Sequence, residues 1–237
     1  MKCAVIKFAG TSGDGDCYHV LKDVLGQSVE YIFHKETFGP EDFDLVVLPG
    51  GASHGDNLRP GALASLSKVM DSIRDAAKVG KAILGIGNGF QILLEAGLLP
   101  GAVLQNKDMK FHYEDVFVKV ENNNTPFTGF YKEGEVIRLP IACKYGNYYA
   151  DDKTLQQLQA DGNIIFSYCD ENGNKLEGVN PLGSVENIAG IANQEKNILG
   201  LMPHPERCVE EILGNTDGIR IFKSILQYLE GGKTNGQ

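Results

Sequence analysis

The stretch best suited to chemistry runs from residue 81 to 102, KAILGIGNGFQILLEAGLLPGA. An apolar run from Ala82 to Ile86 breaks at a cluster of glycines, Gly85, Gly87 and Gly89, and a second apolar run follows at once. That order predicts a strand, a very tight turn and a helix. A turn of this kind places one residue in strained φ/ψ at its tip, with small neighbours to avoid clashes. The tip side chain then points into a cleft at the carboxyl ends of the strands. The N–H of the next residue, here Asn88, opens the helix and can bind an oxyanion. Gly85 and Gly89 supply the small neighbours. The tip itself is Gly87, which has no side chain.

Other glycine-based chemistries fit less well. Gly85, Gly87 and Gly89 miss the dinucleotide pattern GxGxxG because position 90 is Phe, and no acidic residue follows at the end of a second strand about 20 residues on, where a ribose partner is expected. TSGDG after the first strand lacks the GK[ST] of a phosphate loop.

The elements that must position the turn alternate in type. CAVIKF (3–8), SVEYIF (28–33), FDLVVLPGG (43–51) and KAILGI (81–86) read as buried parallel strands. Helical spacing appears in CYHVLKDVL, in NGFQILLEAG and over 62–79, where Leu63, Leu66, Val69, Met70 and Ile73 share one face. Strand and helix in alternation predict an α/β fold, a mostly parallel sheet flanked by helices. After residue 102, DVFVKVENN, EVIRLPIA and NIIFSYCD are separated by Asn, Gly and Asp turns and read as an added antiparallel strand segment. A short helix from Asp152 to Ala160 interrupts them. NILGLMPHPER gives a late strand and loop, and DGIRIFKSILQYL a closing helix. The expected organisation is a single domain over 1–230 with a loose tail, 231–237.

The chain has 237 residues, 42% of them hydrophobic, enough for a sizeable core. Its net charge of −9 argues against nucleic acid and anionic membrane partners, which favour a positive surface. No apolar run approaches a membrane span, and the N-terminal apolar stretch is too short for a signal peptide. Five cysteines, at 3, 17, 143, 169 and 208, form no CxxC pair and no zinc pattern. The expectation is a cytoplasmic protein with reduced thiols and no metal.

GIGNGFQILLEAGLLPGA resembles the elbow of the class I glutamine amidotransferases, a flavodoxin-like family. More narrowly it is similar to the glutaminase subunits of phosphoribosylformylglycinamidine synthase, which serve purine biosynthesis. LPGGASHGDNLRPGA (48–62), NKDMKF (106–111), GNYYADD (146–152) and ILGLMPHPER (198–207) carry the same resemblance over nearly the whole chain. It implies a nucleophilic Cys at the position of Gly87. It also implies a catalytic His and Glu at His204 and Glu206, and oxyanion donors at Gly51 and Asn88. Gly50 and Arg59 would border the substrate glutamine. In such an enzyme the His takes the thiol proton and the Glu orients the imidazole. The thiolate attacks the glutamine amide and ammonia leaves. The implied partners are a large synthetase subunit, which uses ATP and Mg²⁺, and a small accessory subunit. No cofactor is implied in this chain.

Taken alone, these residues have plainer explanations. His204 and Glu206 in a Pro-bounded loop would commonly be a surface pair, Pro49-Gly50-Gly51 a simple turn, and Arg59 a solvated charge. His19, His34, His54 and His112 are read as satisfied or solvent-facing. The resemblance also fails in places. AGTSGD stands where the family usually has PGSNCD, and ACKYGN (142–147) where it has AHGEGN. Ala52, His54 and Asn57 replace Phe, Tyr and Tyr. Three readings remain open: a glutaminase subunit with hydrolysis impaired, a protein that binds glutamine or a related amide without turnover, and a different hydrolase using Asp56, His54 or Cys143. Cys143 is the best candidate for a substitute thiol, and Gly87 should relax the turn and stabilise the fold modestly.

Overall fold

A computed structural model describes the backbone of residues 1–234 and the side chains of residues 1–231. Apolar runs become strands: β3 (Leu45–Leu48) and β4 (Ala82–Ile86) are buried throughout, β1 (Lys2–Lys7) is buried between its two end lysines, and β2 (Ser28–Phe33) lies at the edge. Helix α1 (Asp14–His19) runs on through one π turn, Val20–Val24, and buries Cys17, Val20 and Leu21. Helix α2 (Val69–Lys78) buries Val69, Met70 and Ile73.

The expected helix over 62–79 is shorter than its spacing suggests. Residues Ala64–Leu66 form a 3-10 turn, Ser67 is extended (φ −72°, ψ 151°), and only then does α2 begin. Ser65 Oγ donates to the Ala62 carbonyl, a local hydrogen bond that competes with helix continuation. Leu66 therefore leaves the shared apolar face and is 82% exposed.

Helix α3 (Asn88–Glu95) follows β4 without a linker beyond Gly87. It packs on the sheet through Phe90, Ile92 and Leu93, all fully buried, each worth roughly 1.5–3 kcal/mol. Close approach demands the glycines on either side of the tip. A side chain at Gly89 would run into the Leu48 carbonyl, and one at Gly85 would come 2.8 Å from the Gly89 carbonyl.

Beyond α3 come β5 (Ala102–Leu104), β6 (His112–Val120), β7 (Val136–Cys143) and β8 (Asn147–Tyr149). Helix α4 (Asp152–Ala160) is capped by Asp151, whose carboxylate accepts the Thr154 N–H at 2.8 Å. β9 (Ile164–Cys169), β10 (Ile188–Ala192), β11 (Ile198–Leu201) and α5 (Ile219–Thr234) complete the fold. Residues 231–234 of the expected loose tail continue α5, and 235–237 lie outside the described residues.

Nine strands form one mixed sheet in the order β2-β1-β3-β4-β11-β10-β9-β6-β7. The pairings from β2 to β11 are parallel and those from β11 to β7 antiparallel, so the added strands extend the sheet. β7 alternates buried and open positions along most of its length, as expected for a strand with one covered face. β5 and β8 pair separately. Because β11 lies beside β4, the loop after β11 must emerge next to the turn after β4.

Candidate active site

Gly87 sits at φ 53°, ψ −108°, a conformation that glycine adopts at little cost and other residues adopt under strain. Its N–H donates to the Leu201 carbonyl at 2.8 Å and its carbonyl accepts from Gln91 at 3.2 Å, so the bend is pinned to β11 and to its own helix.

The residues after Leu201 close over this bend. His204 N–H donates to the Pro140 carbonyl of β7 at 2.7 Å, which locks the loop against the antiparallel side of the sheet. The imidazole is buried, as is Glu206, and His204 Nδ1 lies 2.7 Å from Glu206 Oε1. With the carboxylate on Nδ1, Nε2 is left to face the bend. A Cβ at position 87 would lie 3.0 Å from Cε1 and 3.2 Å from Nε2 of that ring. His204 also backs onto Gly50, where a Cβ would come 2.7 Å from Cε1.

Pro49-Gly50-Gly51 continues from β3. Gly50 O accepts the N–H groups of Ser12 and Gly13, each at 3.1 Å, and Ala52 N–H donates to Gly10 O at 3.0 Å. These bonds hold the loop after β1 against the loop after β3 through an isolated Thr11–Gly51 bridge. The Gly51 N–H takes no part in them. Gly51, Gly87, Asn88, His204 and Arg207 line one cleft of about 640 Å³, with Asp56, Gln91, Cys143, Lys144 and Tyr145 around it. A larger groove of about 920 Å³ lies elsewhere, between α4 and the end of α3, and contains none of these groups.

Gly50, Gly51, Gly87, Asn88, His204 and Glu206 are thus brought together. Arg59 is not. Its guanidinium is exposed and forms a two-pronged pair with Glu95, at 2.6 and 2.7 Å, outside the lining of the cleft. The expectation that it borders the substrate rested on a loop match, and Glu95, one helix away, holds it instead.

Cys143 does line the cleft, yet its sulfur turns to the base of its own loop, where a Cβ on Gly146 would meet it at 2.8 Å. Burial pushes its thiol up to about 12. Both facts remove it as a substitute nucleophile. His19 bridges Asp23 and Glu210, and His112 bridges Asp108 and Glu114. His34 and His54 contact each other edge to face at 5.1 Å, and His54 Nε2 is buried without a hydrogen-bond partner, unlike the satisfied state expected for it.

One feature of the site went unread in the sequence. Asn88 Oδ1 accepts the Ser53 N–H at 3.1 Å, and its Nδ2 donates to Gln91 Oε1 at 2.8 Å. Gln91 Nε2 in turn donates to the Tyr145 carbonyl at 2.6 Å. This amide relay joins the loop after β3 to the loop after β7 across the first turn of α3. Two amides three apart on a helix were the available signal.

Among the described residues no group of three His, Cys, Asp or Glu is placed to hold a metal ion. None of the described helices is long and apolar enough to cross a membrane.

Comparison with known proteins agrees with this geometry. Residues 1–229 match the family model for a CobB/CobQ-like glutamine amidotransferase domain. Over 233 residues the chain is 53% identical to phosphoribosylformylglycinamidine synthase subunit PurQ of Pseudothermotoga lettingae, covering 98% of each chain. It is 51% identical over 235 residues to the subunit of the same name from Alkaliphilus metalliredigens, covering 99% of this chain and 100% of that one. Among solved structures it is similar to a chain of PurLQS from Thermotoga maritima, with a TM-score of 0.84 and 44% identity, over 96% of this chain and 98% of that chain.

Proposed function

The chain belongs to the CobB/CobQ-like glutamine amidotransferase family, and from that premise we propose that it is a glutaminase subunit of a phosphoribosylformylglycinamidine synthase whose hydrolytic step is silenced at Gly87. The observation that carries the reading is the direction of the missing side chain. A Cβ at 87 starts 3.2 Å from Nε2 of an imidazole already held by a buried carboxylate. A thiol there would meet a base, and the oxygen of a carboxamide beside it would meet the N–H groups of Gly51 and Asn88.

On this reading each residue keeps its task and one is absent. Glu206 holds the imidazole in the tautomer that leaves Nε2 free. His204 takes a proton at Nε2. Gly51 and Asn88 present N–H groups to the developing oxyanion. Without sulfur no thioester forms, so glutamine is bound and left intact. Loss of the nucleophile from such a unit costs several orders of magnitude in rate.

The partners follow from the relatives, two of which are named as synthase subunits while a third was solved within PurLQS. The chain would dock on a large synthetase subunit with a small accessory subunit. ATP and Mg²⁺ would act in the synthetase. The five free, buried cysteines fit a reducing cytoplasm.

Reconstitution tests the assignment. Mixed with the large and small subunits of a relative, the chain should enter the complex. That complex should make the amidine from ammonium salts and not from glutamine. Failure to associate would refute the subunit reading.

A further inference from the structure

Two charged side chains in the cleft have no use in the scheme above. Of the four acidic or basic side chains (Asp, Lys, Arg and His) that line it, His204 is held by Glu206, and Arg207 is engaged by Asp16 at 3.4 Å and Glu206 at 3.8 Å. Asp56 and Lys144 are the other two. Among the described residues neither has an opposite charge within ion-pair distance. Asp56 receives one long hydrogen bond, from Asn88 Nδ2 at 3.5 Å, and the Lys144 ammonium lies only near the Tyr145 ring, 5.9 Å from its centre.

Their placement is not independent. Asp56 sits at the Asn88 end of the amide relay. Lys144 adjoins Tyr145, whose carbonyl ends the relay at Gln91. Two buried amides therefore tie the loop that carries the negative group to the loop that carries the positive one. A half-buried, unpaired carboxylate is costly unless a cation reaches it. Burial already holds the Asp56 carboxyl above its ordinary range.

We propose that Asp56 and Lys144 receive the amino-acid end of the substrate, Asp56 the α-ammonium and Lys144 the α-carboxylate, with the carboxamide directed at Gly87. The cleft then selects a zwitterionic amino-acid amide over an uncharged one. This rests on the glutaminase-derived reading of the site. The chain as it stands is well suited to the test, because bound glutamine is not consumed.

Binding is measured by calorimetry or ligand-observed NMR for L-glutamine, 4-carbamoylbutanoate, which lacks the ammonium, and 4-aminobutanamide, which lacks the carboxylate. Lys144→Met should weaken glutamine and 4-carbamoylbutanoate about tenfold and leave 4-aminobutanamide unchanged. Asp56→Asn should weaken glutamine and 4-aminobutanamide about tenfold and leave 4-carbamoylbutanoate unchanged. Lys144→Arg should restore affinity. Equal weakening of all three ligands, or none, overturns the proposal. The same substitutions in a Gly87→Cys background separate the two levels. Turnover with an unchanged KM in both variants defeats this inference alone. Absence of both glutamine binding and turnover defeats the reading beneath it.

Discussion

The imidazole of His204 faces Gly87 at the place where any side chain at 87 would begin. A Cβ at 87 would be 3.0 Å from Cε1, and contacts of 3.0–3.4 Å require the neighbour to give by a few tenths of an ångström. His204 has little room to retreat, since its N–H is tied to the Pro140 carbonyl and its Nδ1 to Glu206. Restoring a nucleophile would therefore tighten a contact in a strained turn.

Gly87→Cys should lower stability by about 1 kcal/mol, which for a chain of this size is a fall in Tm of roughly 2–4 °C. Gly87→Ala should fall by a similar amount, because the cost lies in the Cβ and the positive φ. Thermal melts decide this, and an equal or higher Tm in the Cys form would show that the turn is not relaxed by glycine.

Glu206→Gln, placed in a Gly87→Cys background, should leave KM near its starting value and lower kcat by about two orders of magnitude or more. The carboxylate holds the imidazole edge away from the bend and does not itself line the cleft, so its loss disturbs orientation and protonation of His204 more than substrate binding. Steady-state kinetics with glutamine give the split. A change confined to KM would place Glu206 in substrate binding instead.

Cys143 should stay a protonated, unreactive thiol. With its acidity pushed to about 12 by burial, the thiolate is scarce at any pH where the fold is intact. Iodoacetamide at pH 8 should label unfolded chain at Cys143 and leave folded chain untouched at that position, read by peptide mass spectrometry. Labelling of the folded chain at the rate of a free thiol would return Cys143 to consideration as a nucleophile.

The His112 cluster should leave a pH signature. Hydrogen bonds that the ring donates to Glu114 and to Asp108 raise its pKa above the ordinary histidine value. A raised folded value means the stabilisation is fully present below about pH 6.5 and is lost as pH rises through the folded value. The Tm gap between the unmodified chain and His112→Gln should thus be widest near pH 5.5 and close toward pH 9. A gap that widens with pH would show that the cluster favours the neutral ring.

How much of this was legible in the sequence depends on how local each relationship is. The bend was legible because three alternating glycines between apolar runs admit few structures, and the demand at Gly85 and Gly89 is met within a few residues. The His204–Glu206 pair, two positions apart, was visible as a pair but found its role through resemblance, since only the β4–β11 pairing brings it to Gly87. Arg59 was misplaced because its partner Glu95 is 36 residues away. The amide relay and the charges Asp56 and Lys144 depend on two loops meeting across the first turn of α3, which no spacing along the chain encodes. The helix expected over 62–79 failed for a local reason, the serines that interrupt it.

The central claim is that the scaffold for glutamine hydrolysis is intact and that sulfur alone is missing. Purified chain and its Gly87→Cys form are incubated with glutamine, and glutamate and ammonia are measured. The account predicts no turnover above background in the first and clear turnover in the second. Hydrolysis by the unmodified chain would contradict it, as would a folded Gly87→Cys form that binds glutamine and releases no ammonia.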